Sequence, residues 1–263
     1  MKTKSIDFSR FSSLRIGPVV EVALIENDIV PQGFTIVGSA NNLLVSPTPP
    51  PLMILSKEYD FIRIENNRLI IGAATPGGRV VSFCKKHNIA HFEYLSKLPG
   101  TLGGMLKMNA GLKEYEIFNH LVEIRTQSGW LPKEAIEYGY RKTSIDEVVF
   151  EAAFELENGF SFERLDLFAQ MRSNQPNLPS AGSCFKNPVG DYAGRLIEEV
   201  DLKGKRIGAM EFSEIHANFL VNTGGGSYED AIYLIKEAQS RVLEKFGIEL
   251  QCEVVILNKS LLT

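Results

Sequence analysis

Two glycine-rich turns and one serine are the positions of this sequence best suited to chemistry. The first turn, Gly38-Ser39-Ala40-Asn41-Asn42, lies between two apolar runs. Small residues there let successive backbone N–H groups close around an anion such as a pyrophosphate. There is no GxGxxG leading into a helix and no Walker lysine, so neither a Rossmann fingerprint nor a P-loop is present. An ordinary β-turn is the competing reading. The second stretch, "LPGTLGGMLKMNAG" (Leu98–Gly111), strips side chains at Pro99-Gly100, at Gly103-Gly104 and at Asn109-Ala110-Gly111. Three bare patches of backbone suit a flat ring or a phosphate, or the close packing of two chain segments. Ser183, in "PSAGSCFKNP", follows a glycine and precedes a Phe-Lys-Asn-Pro corner. It is either a turn residue or a proton carrier, and the segment alone does not decide. Cys184 beside it reads as packing.

Metal and thiol chemistry find less support. The cysteines Cys84, Cys184 and Cys252 are odd in number, far apart and without CxxC spacing, which points to reduced thiols and the cytoplasm. The histidines His87, His91, His120 and His216 show no zinc-type spacing, so no metal site is expected.

The elements that must position these residues read as α+β. Strands are expected at Phe34–Val37 and Leu43–Val45 around the first turn, then in "LMIL", "FIRIE" and "RLIIGA" after the proline-rich connector "SPTPPPL" (Ser46–Leu52). The spacing of Val80, Val81 and Cys84 predicts a helix over Arg79–Asn88. "HLVEIRTQSGWLP" predicts a hairpin turning at Ser128-Gly129, "VVFEAAFEL" an alternating strand, and "RLDLFAQMRSNQP" a helix stopped by Pro176. A short helix is expected at Asp191–Glu199. The longest one opens at a Ser227–Asp230 capping box, buries Ala231, Ile235, Ala238, Val242 and Phe246, and ends at Gly247. "IELQCEVVIL" predicts a last strand with Ile248, Leu250 and Cys252 on one face and Glu249, Gln251 and Glu253 on the other.

Composition bounds the whole. The 263 residues are 44% hydrophobic and 23% charged, ordinary for a globular protein with its own core. A formal net charge of −4 argues against a nucleic-acid surface. No run of apolar residues approaches a membrane span, and the first residues lack a signal-peptide pattern. A monomer is compatible with all of this.

Six motifs, in order along nearly the whole chain, carry a resemblance. "FSSLRIGP", "IVGSANNLLV", "LPGTLGGMLKMNAG", "YGYRKTS", "PSAGSCFKNP…AGRLIEEVDLKGKRIGAMEFSEIHANFLVN" and "GIELQCEVVIL" are similar to the signatures of the UDP-N-acetylenolpyruvoylglucosamine reductases, the MurB family. The resemblance implies an FAD-binding two-part α+β domain of the vanillyl-alcohol-oxidase/PCMH type plus a smaller α+β substrate domain. The parts would be residues 1–50 with 257–263, residues 51–172, and residues 173–256. It implies non-covalent FAD held by Gly38, Ser39, Ala40, Asn41 and Asn42 and by Pro99, Gly100, Thr101, Gly103, Gly104, Asn109, Ala110 and Gly111. NADPH would be the co-substrate and an enolpyruvyl sugar nucleotide the substrate, for peptidoglycan synthesis.

Three catalytic roles follow from the same resemblance. Hydride delivery to the outer enolpyruvyl carbon leaves an enolate, which needs a fixed cation, a proton-bearing group at the carboxylate and a proton donor over the carbon. These roles fall on Arg141, Glu253 and Ser183. Tyr140, Lys186, Asn187, His216 and Asn218 would contact substrate. Three departures stand out, the first being Ser12-Ser13 in the N-terminal motif, where the family often has threonine. Ala40 and Asn41 occupy places where the family has glycine and serine, and a methyl at Ala40 restricts φ there. The interval from Arg141 to Gln175 is short, as in the subclass lacking a tyrosine-bearing loop, which implies a more open site. An FAD oxidase or dehydrogenase for another substrate, and a non-catalytic sugar-nucleotide binder, are the alternatives.

Overall fold

The structure, a computed structural model, describes residues 1–259. The chain forms two compact units, each assembled from separate segments. The first comprises Met1–Lys4, Val22–Ser39 and Pro51–Ser173; the second comprises Ser5–Glu21, Ala40–Pro50 and the chain from Asn174 on. Residues 1–50, expected as one part, therefore divide between both units. Of the expected terminal piece 257–263, Leu257–Lys259 belong to the second unit and residues 260–263 lie outside the described ones.

In the first unit, Leu52–Leu55 runs parallel to Ala23, Leu24 and Ile25 at the end of one strand (Ala23 opposite Met53) and to Thr35–Ile36 (Thr35 opposite Leu52). A separate antiparallel sheet has the order Gly129–Pro132, Leu121–Thr126, Glu151–Glu155, Arg68–Gly72, Ile62–Glu65. Its Ile124, Ala152, Ile71, Phe154 and Leu69 join Val80 and Cys84 of the helix Gly77–His87, Leu102 of Leu102–Lys107 and Phe168 of Phe162–Met171 in one core. The first of these helices stops at Asn88, left-handed at φ +55, after Lys85 and Lys86, whose charges suit a helix C-terminus.

Three local expectations change here. Val149–Phe154 is buried at every residue instead of alternating, because Ile70 and Ala153 on the other sheet face are covered too. The hairpin turns at Gln127-Ser128, with Thr126 opposite Gly129, because Glu147 fixes Ser128 through its N–H (3.0 Å) and its hydroxyl (2.5 Å). The helix Phe162–Met171 ends before Pro176 is reached.

In the second unit an antiparallel sheet runs Ser180–Ser183, Phe219–Asn222, Met210–Phe212, Arg206–Ile207. The helices Ala193–Glu199 and Tyr228–Phe246 cover it, burying Leu196, Ile197, Ala231, Leu234, Ile235, Ala238 and Val242 with Phe185 and Phe212. The long helix begins where Ser227 Oγ accepts from the Asp230 N–H (3.0 Å) and ends at Gly247, φ +69. A two-stranded parallel pair, Leu43–Val45 with Val255–Leu257, completes the unit.

The expected last strand is the main correction. Only Val255–Leu257 is regular strand, since the segment changes partner midway. Gln251–Glu253 lies antiparallel to Cys184–Lys186, with Cys252 opposite Phe185. Three residues on, the chain pairs parallel with Leu43–Val45.

Candidate functional site

Ser183 owes its position to a bulge. Ser180 opposes Val221 and Ser183 opposes Phe219, so three steps on one strand match two on the other. Gly182 inside the bulge has φ +80, a conformation that favours glycine, and a bulge of this kind re-aims the side chain that follows. The next residue, Cys184, accepts at its carbonyl from the N–H groups of Glu253 (2.8 Å) and Val254 (3.3 Å). Ser183 and Glu253 therefore occupy neighbouring, hydrogen-bonded backbone, both half-buried. Glu253 is not on the solvent face with Glu249 and Gln251. It sits where the chain leaves one partner strand for the other.

Asn218 fixes this corner. Its side chain accepts from the Phe185 N–H (3.0 Å) and donates to the Phe185 carbonyl (2.8 Å), and its own carbonyl accepts from the Cys184 N–H (2.7 Å). The residue is 3% exposed. Its amide is thus engaged with backbone, and we read it as a positioning residue in place of the expected substrate contact. Asn187 accepts at Oδ1 from the Ala193 N–H (3.0 Å), capping the short helix. The His216 ring lies against Gly194, and its Nδ1 accepts from the Asn218 N–H (3.2 Å). Burial, with Lys203 nearby, lowers its pKa. Lys186 is half-buried, and its N–H donates to Gln251 O (2.8 Å). Cys184 is 2% exposed, and burial, together with Cys252 and Glu253, pushes its thiol up, so it stays neutral and serves packing.

Ala40–Asn42, in the same unit, is braced from two sides. Ser13 donates its N–H to Ala40 O and its hydroxyl to Asn41 O, both at 3.1 Å. Asn42 Nδ2 donates to Glu253 O (2.9 Å), and the Val255 N–H donates to Asn42 O (3.0 Å). Ala40 adopts φ +52, the conformation glycine would supply, despite its methyl. That conformation costs about 1 kcal/mol for an L-residue, which these hydrogen bonds can offset.

The other candidate residues belong to the first unit. A Cβ at Gly38 would stand 2.8 Å from Thr101 Oγ1, so the first turn and the second loop meet there only because glycine is present. Packing accounts for two of the loop's glycines: a Cβ at Gly103 would press on Ala73, and one at Gly111 would come within 2.4 Å of Tyr115 O. Gly104 is exposed, and a Cβ there would meet Thr101 Oγ1 at 3.9 Å, an ordinary contact distance. Gly100 has φ +137, and Pro99 is exposed beside it. Asn109 is fully buried and left-handed at φ +43; its Nδ2 donates to Glu116 Oε2 (2.8 Å) and Gly139 O (3.2 Å). Its Oδ1 is buried without a hydrogen-bond partner. A bare glycine, a threonine hydroxyl that caps no helix amide and an orphaned amide oxygen are the features a polar, ring-shaped cofactor would satisfy.

Arg141 is tied to that loop. Tyr138 opposes Thr143 and Gly139 opposes Lys142, which leaves Tyr140-Arg141 as a two-residue hairpin turn. Arg141 has φ +56 and donates from Nη2 to Gly111 O (2.9 Å), while Thr143 Oγ1 donates to Lys107 O (2.9 Å). Tyr140 is exposed, its ring 5.2 Å from the guanidinium carbon. The structure thus groups Arg141 with Asn109 and Gly111 in one unit, and Ser183 with Glu253 and Asn42 in the other. Ser13 and Asn218 are the positioning residues that sequence reasoning did not single out for this role. The only signal for Ser13 was its place in "FSSLRIGP".

Fold and site define a class: an α+β protein of the FAD-binding, PCMH type, with a further α+β unit in which Ser183 and Glu253 lie on adjacent, hydrogen-bonded segments. Comparison with known proteins narrows this. A profile of the UDP-N-acetylenolpyruvoylglucosamine reductase C-terminal domain matches residues 174–257. The UDP-N-acetylenolpyruvoylglucosamine reductase of Helicobacter hepaticus is 45% identical over 98% of this chain and its own full length. That of Campylobacter jejuni (strain RM1221) is also 45% identical, over 96% of this chain and 99% of its own. The crystal structure of the Thermus caldophilus enzyme superposes with a TM-score of 0.86 at 27% identity, covering 98% of this chain and all of that one. The chain belongs to the UDP-N-acetylenolpyruvoylglucosamine reductase family.

Proposed function

We propose that this protein reduces UDP-N-acetyl-3-O-(1-carboxyvinyl)-glucosamine to UDP-N-acetylmuramate for peptidoglycan synthesis, in the cytoplasm, with NADPH as reductant and non-covalent FAD. The observation that carries the reading is the full-length similarity joined to the Cys184–Glu253 backbone hydrogen bond, which sets Glu253 on the segment beside Ser183 behind the Gly182 bulge. FAD, when bound, supplies hydride transfer between NADPH and the enolpyruvyl carbon. Gly38, Ser39 and Ala40–Asn42 would hold its pyrophosphate, and Thr101, Gly104 and Asn109 its ring system.

The chain's own residues handle charge and protons. Arg141 balances the substrate carboxylate, for which a planar guanidinium is suited. Glu253, protonated, donates a hydrogen bond to the oxygen on which negative charge develops. Ser183 delivers the proton to the adjacent carbon. A serine hydroxyl is a very weak acid, so it serves only because the enolate is strongly basic and the donor is held in place. Lys186 and His216 are proposed to contact the nucleotide diphosphate.

Stopped-flow separation of the two half-reactions tests this. Ser183→Ala should leave bleaching of the bound flavin by NADPH within about twofold of wild type. Recovery of colour on adding the enolpyruvyl sugar nucleotide should fall at least roughly a hundredfold, the scale of a lost general acid. Equal loss of both half-reactions would make Ser183 a folding residue. Wild-type protein that bleaches but is never reoxidised by that substrate would point to another flavoenzyme reaction.

A further inference from the structure

His91, His120 and Glu157, all in the first unit, bring their ligating atoms within 4.8 Å of one another. They lie far apart in sequence, which is why histidine spacing gave no sign of them. The backbone holds them together: the Ala90 N–H donates to Glu157 O (2.9 Å), Ile89 pairs with Asn158, and the Glu155 N–H donates to His120 O (3.0 Å). The stretch Glu155–Glu157 therefore anchors both histidine segments. His91 has φ +77, a backbone conformation that a side-chain-bearing residue keeps only where its surroundings impose it.

The side chains form a compact donor set. The imidazole rings stack with centroids 3.7 Å apart and planes 14° from parallel. His91 Nε2 lies 2.7 Å from Glu157 Oε2, and His120 Nδ1 lies 3.2 Å from Glu155 Oε2. With neutral rings the group carries two negative charges, which one divalent cation would balance. Two imidazoles and a carboxylate suit zinc-class ions, and a carboxylate bonded to a ligating histidine is the usual outer partner. Both histidines also line a cavity of about 200 Å³, whose wall mixes Glu93, Glu114, Glu116 and Arg164 with the rings of Tyr115 and Phe168. That leaves room for a water as fourth ligand.

We propose that His91, His120 and Glu157 bind one zinc-class divalent ion, with Glu155 orienting His120. Ligand distances of about 2.0–2.1 Å put donor atoms about 3.3 Å apart. Binding must therefore draw the set together and turn the rings out of their stack, since parallel imidazoles cannot aim in-plane lone pairs at one ion. The side chains are 19% and 30% exposed, so the rings have freedom to turn. The bound ion staples the His91 loop and the His120 segment to the Glu155–Glu157 stretch and stabilises the fold by linkage.

The test uses the full chain, stripped with chelator and titrated with zinc chloride and separately with cobalt chloride. Expected are one zinc per chain, the intense visible bands of a tetrahedral cobalt site without thiolate charge transfer, and a melting temperature about 5 °C higher at a hundredfold excess over Kd. His120→Asn and the exposed Glu157→Gln should each weaken zinc binding at least tenfold while melting like wild type without metal. Absence of stoichiometric zinc on wild type, a thiolate signature, or unchanged affinity in both well-folded variants would overturn the proposal.

Discussion

Arg141 carries its role in a backbone conformation that arginine rarely adopts. At φ +56 it takes the second position of a two-residue turn, where glycine or asparagine is usual. The conformation costs about 1 kcal/mol. The hydrogen bond to Gly111 O returns about the same. A strained, half-buried residue retained at a hairpin tip suggests a use for the guanidinium rather than for the turn. Arg141→Gly should therefore leave stability nearly unchanged, with the melting temperature within about 3 °C of wild type. Reoxidation by substrate should fall by roughly a hundredfold or more. Thermal melts and single-turnover kinetics on the same preparation check both halves, and a parallel loss of stability would mark Arg141 as structural. Ser183 and Gly182 follow the same logic one unit away, where a left-handed glycine aims the serine.

At the scale of elements, the corner joining Ser183–Lys186, Asn218 and Gln251–Glu253 is held by backbone hydrogen bonds and one buried amide. His216 belongs to its support, its ring against Gly194 and its Nδ1 accepting from Asn218. Burial, with Lys203 opposing and Glu198 favouring the charge, sets its folded pKa below the ordinary value of about 6.5. The unfolded chain then binds the proton more readily than the folded one. This contribution to stability is complete above about pH 6.5 and is lost as pH falls through the folded pKa. Urea titrations between about pH 8 and about pH 5 should show that decline, and His216→Gln should flatten it. An unchanged slope in the variant would assign the pH dependence to other groups.

Over the whole molecule, the second unit is not a continuous stretch of chain. The family profile covers residues 174–257, yet the strand Leu43–Val45 pairs with Val255–Leu257, and Leu14, Ile16 and Leu44 lie in the same core as Phe185 and Leu234. Burying three such side chains is worth about 2 kcal/mol each, about 6 kcal/mol together. Total stabilities of about 5–15 kcal/mol leave little margin for that loss. A fragment starting at Asn174 should accordingly lack a cooperative melt and a dispersed amide spectrum, while the full chain shows both. A well-dispersed fragment would show that the early segments are dispensable.

The sequence by itself determined the α+β class, most strands and helices, the ends of the long helix at Ser227 and Gly247, and the two glycine-bared loops. These follow from periodicity, capping and the steric freedom of glycine, all of which act within a few residues. Tertiary structure decided the rest. Glu253 looked like a solvent-face residue because the sequence does not record that its segment changes partner at that point. Val149–Phe154 looked half-exposed because a covered second face leaves no local mark. Asn218 became a brace, and His91 met His120 and Glu157, because backbone hydrogen bonds between distant segments bring together groups that no spacing rule connects.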